Sequence, residues 1–241
     1  MSKEQTLGTS GIQVLEPVID EYIFARPFKG DEAREVYKEV RGRVEKDFKN
    51  SSMFGAYFKF NEQTGEINGV NTGYGILIND VLSQKGLWLP TIAQARKLDK
   101  LGKLSNGVWR RYGIAIYDKN DPNSEVAGRL TEEAEKKRWN LPVLAPFKTL
   151  KIIKTGARIG FSKDYDGIIT GEQARELLKE FNYVGNSGAQ GVDRGRDGSW
   201  GADWDDLDGS YECGRVDWIC GKATQKNLEK IVFTSIDDVV G

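Results

Sequence analysis

The sequence predicts an α+β protein, with short mixed or antiparallel strands interleaved with about four helices. Three observations point there. Apolar residues recur at helical spacing in some stretches, short aromatic or β-branched runs stand in others, and Gly- or Pro-marked turns separate them. Of the 241 residues 39% are hydrophobic, 29% charged and 10% aromatic, a composition that excludes a disordered chain. No internal repeat or low-complexity linker interrupts it, so residues 1–241 read as a single domain.

Residues 1–30 read as a strand or extended arm, punctuated by Pro17 and Pro27. Asp31 is placed to cap a helix running to about Asn50, with Ala33, Val36, Tyr37, Val40, Val44 and Phe48 on one face. Met53–Phe60 is aromatic-rich and predicts a strand, Asn61–Gly73 a turn-rich loop, and Tyr74–Asn79 (YGILIN) a second strand. Leu87–Leu89 is a third short strand, and Pro90-Thr91 starts a helix to about Leu101. Tyr112–Tyr117 is again a strand. Thr131 opens a charged helix, acidic at its start and basic at its end, as the helix dipole favours. Leu150–Ile153 with Ala157–Phe161 predicts a hairpin, Thr170 with Gln173 a capping box for a helix over 171–181, and Lys230–Ser235 a last strand.

Several function classes are excluded at this stage. No run of about 18 apolar residues exists, so no membrane-spanning helix and no membrane insertion are expected. The polar start MSKEQTLGTS lacks the apolar stretch of a secretory leader. Localisation is left open between a virion or cell surface reached by another route and the cell interior. A net charge of −1 argues against general nucleic-acid binding. Histidine is absent, which removes Ser-His-Asp and Cys-His catalysis and every His-ligated metal site.

Residues 182–221 differ from the rest. They hold nine glycines, three of the six tryptophans (Trp200, Trp204, Trp218), eight acidic residues and three arginines, a local charge of −5. No lysine occurs between Lys179 and Lys222. Such a long stretch is expected to be functional, and its tryptophans need burial, which argues against disorder. Asp203, Asp205, Asp206, Asp208 and Glu212 could supply calcium ligands, but the EF-hand register fails: the sixth position falls on Asp208 or Tyr211 where glycine is required. Cys213 and Cys220 read as two reduced thiols. Neither a metal nor a cofactor is expected.

Two motifs carry a family resemblance. Leu89-Pro90-Thr91 at a helix start resembles C-type-lectin-like folds of the formylglycine-generating-enzyme group. The Gly-rich, Trp-bearing stretch closing in GRVDWIC (Gly214–Cys220) resembles the variable region of diversity-generating retroelement proteins, in particular their archaeal and archaeal-virus branch. The resemblance covers about residues 87–241. It implies a C-type-lectin-like fold with a long irregular C-terminal segment, in which 183–221 is the variable, ligand-binding region. It also implies a mechanism: a reverse transcriptase copies a template repeat with errors at adenines, so that AAY codons diversify. Trp codons hold no adenine and stay fixed, as would Gln190 and Glu212.

The variable, ligand-facing set expected on this basis is Asp193, Asp197, Gly201, Asp203, Asp205, Asp208, Ser210, Tyr211 and Cys213. Trp200, Trp204, Arg215, Asp217 and Trp218 form its scaffold. The expected activity is non-enzymatic binding of a changing macromolecular ligand, a protein, with basic or polar partners favoured by the acidic surface. The alternatives are a calcium-dependent carbohydrate-binding lectin, and a formylglycine-generating-like copper oxidase using Cys213 and Cys220.

Overall fold

The computed structural model describes residues 22–55, 57–120, 124–204, 207 and 214–223. The chain divides into two compact units: Ala25–Gly221, and a smaller one of Met1–Phe24 with Lys222–Gly241, most of which lies outside the described residues. The predicted strand Lys230–Ser235 lies there too. The larger unit is mixed α+β, with five α-helices and four sheets among the described residues. None of these helices is long and apolar enough to cross a membrane.

The chain enters through β1 (Tyr22–Pro27) and turns into α1 (Asp31–Asp47). The predicted helix is there, but Gly30 occupies the N-cap and Asp31 is the first helical residue, favourable to the dipole without capping. The expected strand over 53–60 shrinks to β2 (Lys59–Asn61), which forms a hairpin with β3 (Glu66–Asn68) inside the supposed loop.

YGILIN is helical, not extended: it lies in α2 (Thr72–Ser83). The Asn71 side chain accepts from the Tyr74 N–H at 2.9 Å and donates to the Met53 carbonyl at 2.6 Å. That cap selects the helix. Ten of its twelve residues are buried, so no polar face betrays the 3.6-residue period, and a wholly buried helix reads like a buried strand. Gly75 is required there, since a Cβ would stand 2.4 Å from the Phe147 ring.

Next come β4 (Leu87–Trp88) and α3 (Ile92–Lys100), where Thr91 and Gln94 close a full capping box. After β5 (Arg110–Ile116), α4 spans Ser124–Lys136. Thr131 does not open it but lies buried in its interior. Then follow β6 (Val143–Pro146), the predicted hairpin of β7 (Leu150–Ile153) and β8 (Arg158–Phe161), β9 (Ile169–Thr170) and α5 (Gly171–Leu178). Thr170 is the N-cap of α5, but its side chain makes no capping bond.

Among its described residues, the region expected to be irregular is mostly sheet. It contributes β10 (Tyr183–Val184), β11 (Ala189–Arg194), β12 (Trp200–Trp204), β13 (Arg215–Val216) and β14 (Trp218–Ala223). β11 is interior to the largest sheet, of order β10-β12-β11-β5-β6-β9, in which only β10 and β12 run parallel. The other sheets are β1-β14-β4, β13-β3-β2 and β7-β8.

Strand alternation, reset by an irregularity that makes Tyr112 the extra residue of β5 against Val192–Asp193, lets the large sheet serve two cores. Ile114, Ile116, Val143, Ala145 and Ala189 join one cluster with α1, α2 and α4. Tyr112, Ala115, Leu144, Val192, Trp200 and Ala202 join a second with α3 and α5.

Replacing Asn71 with alanine removes the α2 cap and orphans the Met53 carbonyl. The expected loss is about 1–2 kcal/mol in urea unfolding; a change below about 0.5 kcal/mol would show that the cap does not hold the helix.

Candidate functional site

Three arginines from adjacent strands are buried beside one another, and each demands a carboxylate. Register places Arg194 of β11 directly opposite Arg110 of β5, and Asp193 opposite Arg111. Arg110 Nε donates to both oxygens of Asp217 at 2.9 Å, and its Nη1 to the Ser105 carbonyl at 2.8 Å. Arg194 donates to Asp99 at 2.8 Å, to the Asn106 side chain at 2.9 Å and to the same Ser105 carbonyl at 3.2 Å. Burial works against the Arg110 charge, yet the hydrogen bonds and negative charge of Asp217, with smaller contributions from Tyr112 and Glu66, together outweigh it and hold the guanidinium above its ordinary range. On the other face, Arg111 Nε donates to Asp193 at 2.8 Å and Nη1 to the Thr72 hydroxyl at 3.1 Å. Both members of that pair have side chains only 5% exposed.

Beyond these pairs the first core's cover ends, and the outer strands β12 and β10 carry a shallow cavity of about 300 Å³. Trp109, Tyr183, Asp193, Gly201 and the connection between β11 and β12 line it. That connection is rigid: Gly195 N–H donates to the Ser199 carbonyl at 2.7 Å, and Gly107 N–H to the Arg196 carbonyl at 2.6 Å. Asp197 accepts from the Ser199 N–H at 3.0 Å and from its hydroxyl at 2.6 Å, contacts that hold its carboxyl below the usual range. Arg196 and Asp197 are nonetheless exposed, and Tyr183 is 54% exposed.

The expected site residues fall into three groups. Asp197, Gly201 and Asp203 lie at or beside the cavity, with Asp203 exposed; burial and the nearby Asp193 charge push its carboxyl up. Asp193 reaches the cavity floor but is 3% exposed and committed to Arg111. Replacing it would strand a buried guanidinium. Asp205, Asp208, Ser210, Tyr211 and Cys213 lie outside the described residues.

The scaffold set is placed as follows. Trp200 is 3% exposed, stacks on Tyr112 with centroids 5.3 Å apart, and donates its indole N–H to Asp99 at 2.7 Å. Trp204 ends β12. Along GRVDWIC, the Gly214 carbonyl accepts from the Gly69 N–H at 2.6 Å. Arg215 donates to Glu66 at 2.8 Å, Val216 and Ile219 are buried in the first core, and Asp217 holds Arg110. Trp218 packs partly buried on the second core.

Arg110, Arg111, Arg194, Asp99, Trp109, Tyr183 and Arg196 escaped the sequence reading. The available signal was the adjacent pair Arg110-Arg111 opening an apolar strand: neighbours on a strand face opposite ways, so each needs its own partner. Burial pushes the Cys220 thiol up to about 12. Among the described residues no three of His, Cys, Asp and Glu lie where they could hold a metal ion. No protein-family model matches the chain, and neither does any curated protein or any solved structure.

Two glycines test this division. A Cβ at Gly191 would stand 2.7 Å from the Arg111 guanidinium carbon, whereas one at Gly201 meets nothing closer than 3.3 Å. Gly191→Ala is expected to cost about 1–3 kcal/mol and Gly201→Ala less than about 0.5 kcal/mol, read by chemical unfolding. Asp193→Ala is expected to cost about 3–5 kcal/mol, since it leaves a buried unpaired charge; a loss under about 1 kcal/mol would mean that Arg111 escapes to solvent.

Proposed function

We propose that this chain is a non-enzymatic binding protein with a C-type-lectin-like fold. Its residues on the β10–β12 surface, together with those between Trp204 and Gly214 in sequence, are diversified by adenine-directed mutagenic retrohoming to recognise changing protein ligands. One observation carries this reading: the cavity is lined both by Asp193, fixed in a buried ion pair with Arg111, and by Tyr183, Arg196 and Asp197, which are exposed. Ligand-binding residues on such a frame can change without unfolding it. The roles along GRVDWIC fit a fixed closing motif, because each of its residues is tied to another element by a hydrogen bond, an ion pair, strand pairing or core packing. The Thr91 capping box supports the Leu-Pro-Thr likeness. The diversified set is then Asp197, Gly201 and Asp203, together with Asp205, Asp208, Ser210, Tyr211 and Cys213. Asp193 belongs to the frame. Asp197 and Asp203 at the rim favour partners that present basic or polar groups.

The DNA flanking the gene tests this directly. A near-copy of the codons for residues 183–221 is expected beside a reverse-transcriptase gene. It should carry AAY codons at 197, 201 and 203 and invariant codons at Asp193, Arg194, Trp200 and Asp217. The absence of any such repeat would overturn the diversification; AAY at 193 or 217 would overturn the division between frame and rim.

A further inference from the structure

A larger cleft, of about 560 Å³, lies away from the cavity, between the C-terminal end of α1 and the turn joining β7 to β8. Lys46 and Lys49 line one wall, Lys154, Gly156 and Ala157 the other, and Asp47 sits between them. Lys154 pairs with Asp47 at 2.9 Å. Lys46 and Lys49 are exposed and make no ion pair among the described residues, so the cleft keeps a net positive charge of about two. The negative end of the α1 dipole opposes this, but it amounts to only about half a charge.

The turn adds a second feature. Lys154 is right-handed (φ −55°, ψ −40°), Gly156 is left-handed (φ 74°, ψ 15°), and Ala157 keeps a positive φ of 48°. The turn closes on itself, the Ala157 N–H donating to the Lys154 carbonyl at 3.4 Å, so it gives the cleft its shape while the lysines give it its charge. Ala157 holds that conformation although it carries a Cβ, so the turn is over-determined by its surroundings.

We infer that this cleft binds a phosphate-bearing ligand, its oxyanion between Lys46, Lys49 and the turn at Lys154–Ala157. The volume exceeds what one phosphate fills and suits a diphosphate or a phosphate ester. Nothing in this assignment depends on the β10–β12 surface, so either can fail without the other.

The test is calorimetric titration of the full chain with pyrophosphate at low salt, beside the Lys46→Ala/Lys49→Ala double variant. Both lysines are exposed, so the variant should fold, and its unchanged melting temperature without ligand checks this. Saturable binding is expected, weakened at least about tenfold in the double variant and by added salt. Lys85→Ala, at an exposed lysine elsewhere, should leave it unchanged. Co-sedimentation with phosphatidate vesicles, lost in the same double variant, would assign the phosphate to a lipid headgroup; pyrophosphate binding without vesicle binding would assign it to a free ligand. If neither probe binds, or both bind the double variant as well as the parent, the inference is overturned.

Discussion

Arg110 and Arg194 face each other across two interior strands, and Arg111 lies beside them on the opposite face of the sheet. Two like charges directly opposed on a sheet repel. Each survives only because a carboxylate from elsewhere reaches it, Asp217 for Arg110 and Asp99 for Arg194, while the Ser105 carbonyl is shared between them. The requirement binds distant parts of the chain. Asp99 belongs to the last turn of α3, Asp217 to the connection between β13 and β14, and Asp193 to β11 itself. Such pairs add little net stability compared with apolar packing, but removing one partner costs a large share of a domain's total. They therefore act chiefly as constraints on position.

That constraint explains how a Gly-rich, acidic stretch becomes sheet. Glycine weakens a strand and carboxylates resist burial. Here the buried carboxylates meet guanidiniums, and Gly191 leaves the room that Arg111 occupies. Trp200 closes the arrangement from the other core, its ring on Tyr112 and its N–H on the second oxygen of Asp99. The neighbouring side chains Arg196, Asp197 and Asp203 carry none of this load. The rim and the frame are interleaved in sequence yet separated in energetics.

Much of the fold was legible because local signals agreed with tertiary ones. The amphipathic α1, the Pro90-Thr91 start of α3 and the β7–β8 hairpin each follow from periodicity or local sequence signals. The failures share a cause. In α2 burial on all sides erased the period, and at 182–221 composition suggested an irregular segment where long-range ion pairs impose strands. Trp200, Arg215 and Asp217 could be singled out because aromatic rings and a terminal motif stand out in sequence. Asp193 and Asp197 look alike as Asp in a Gly-rich run; only register tells that the first opposes Arg111 and the second sits on a turn. Lys46, Lys49 and Lys154 are ordinary surface lysines in sequence, and the fold alone brings them around one cleft.

Whether a fixed ion-paired frame carries an exchangeable rim can be read from a randomised library. Positions 196, 197, 201 and 203 would be varied in one pool, and 110, 111, 193, 194 and 217 in another, with protease resistance scored for each variant. Most rim variants are expected to stay as resistant as the parent, while nearly all frame variants are cleaved. Equal tolerance in the two pools would contradict this division.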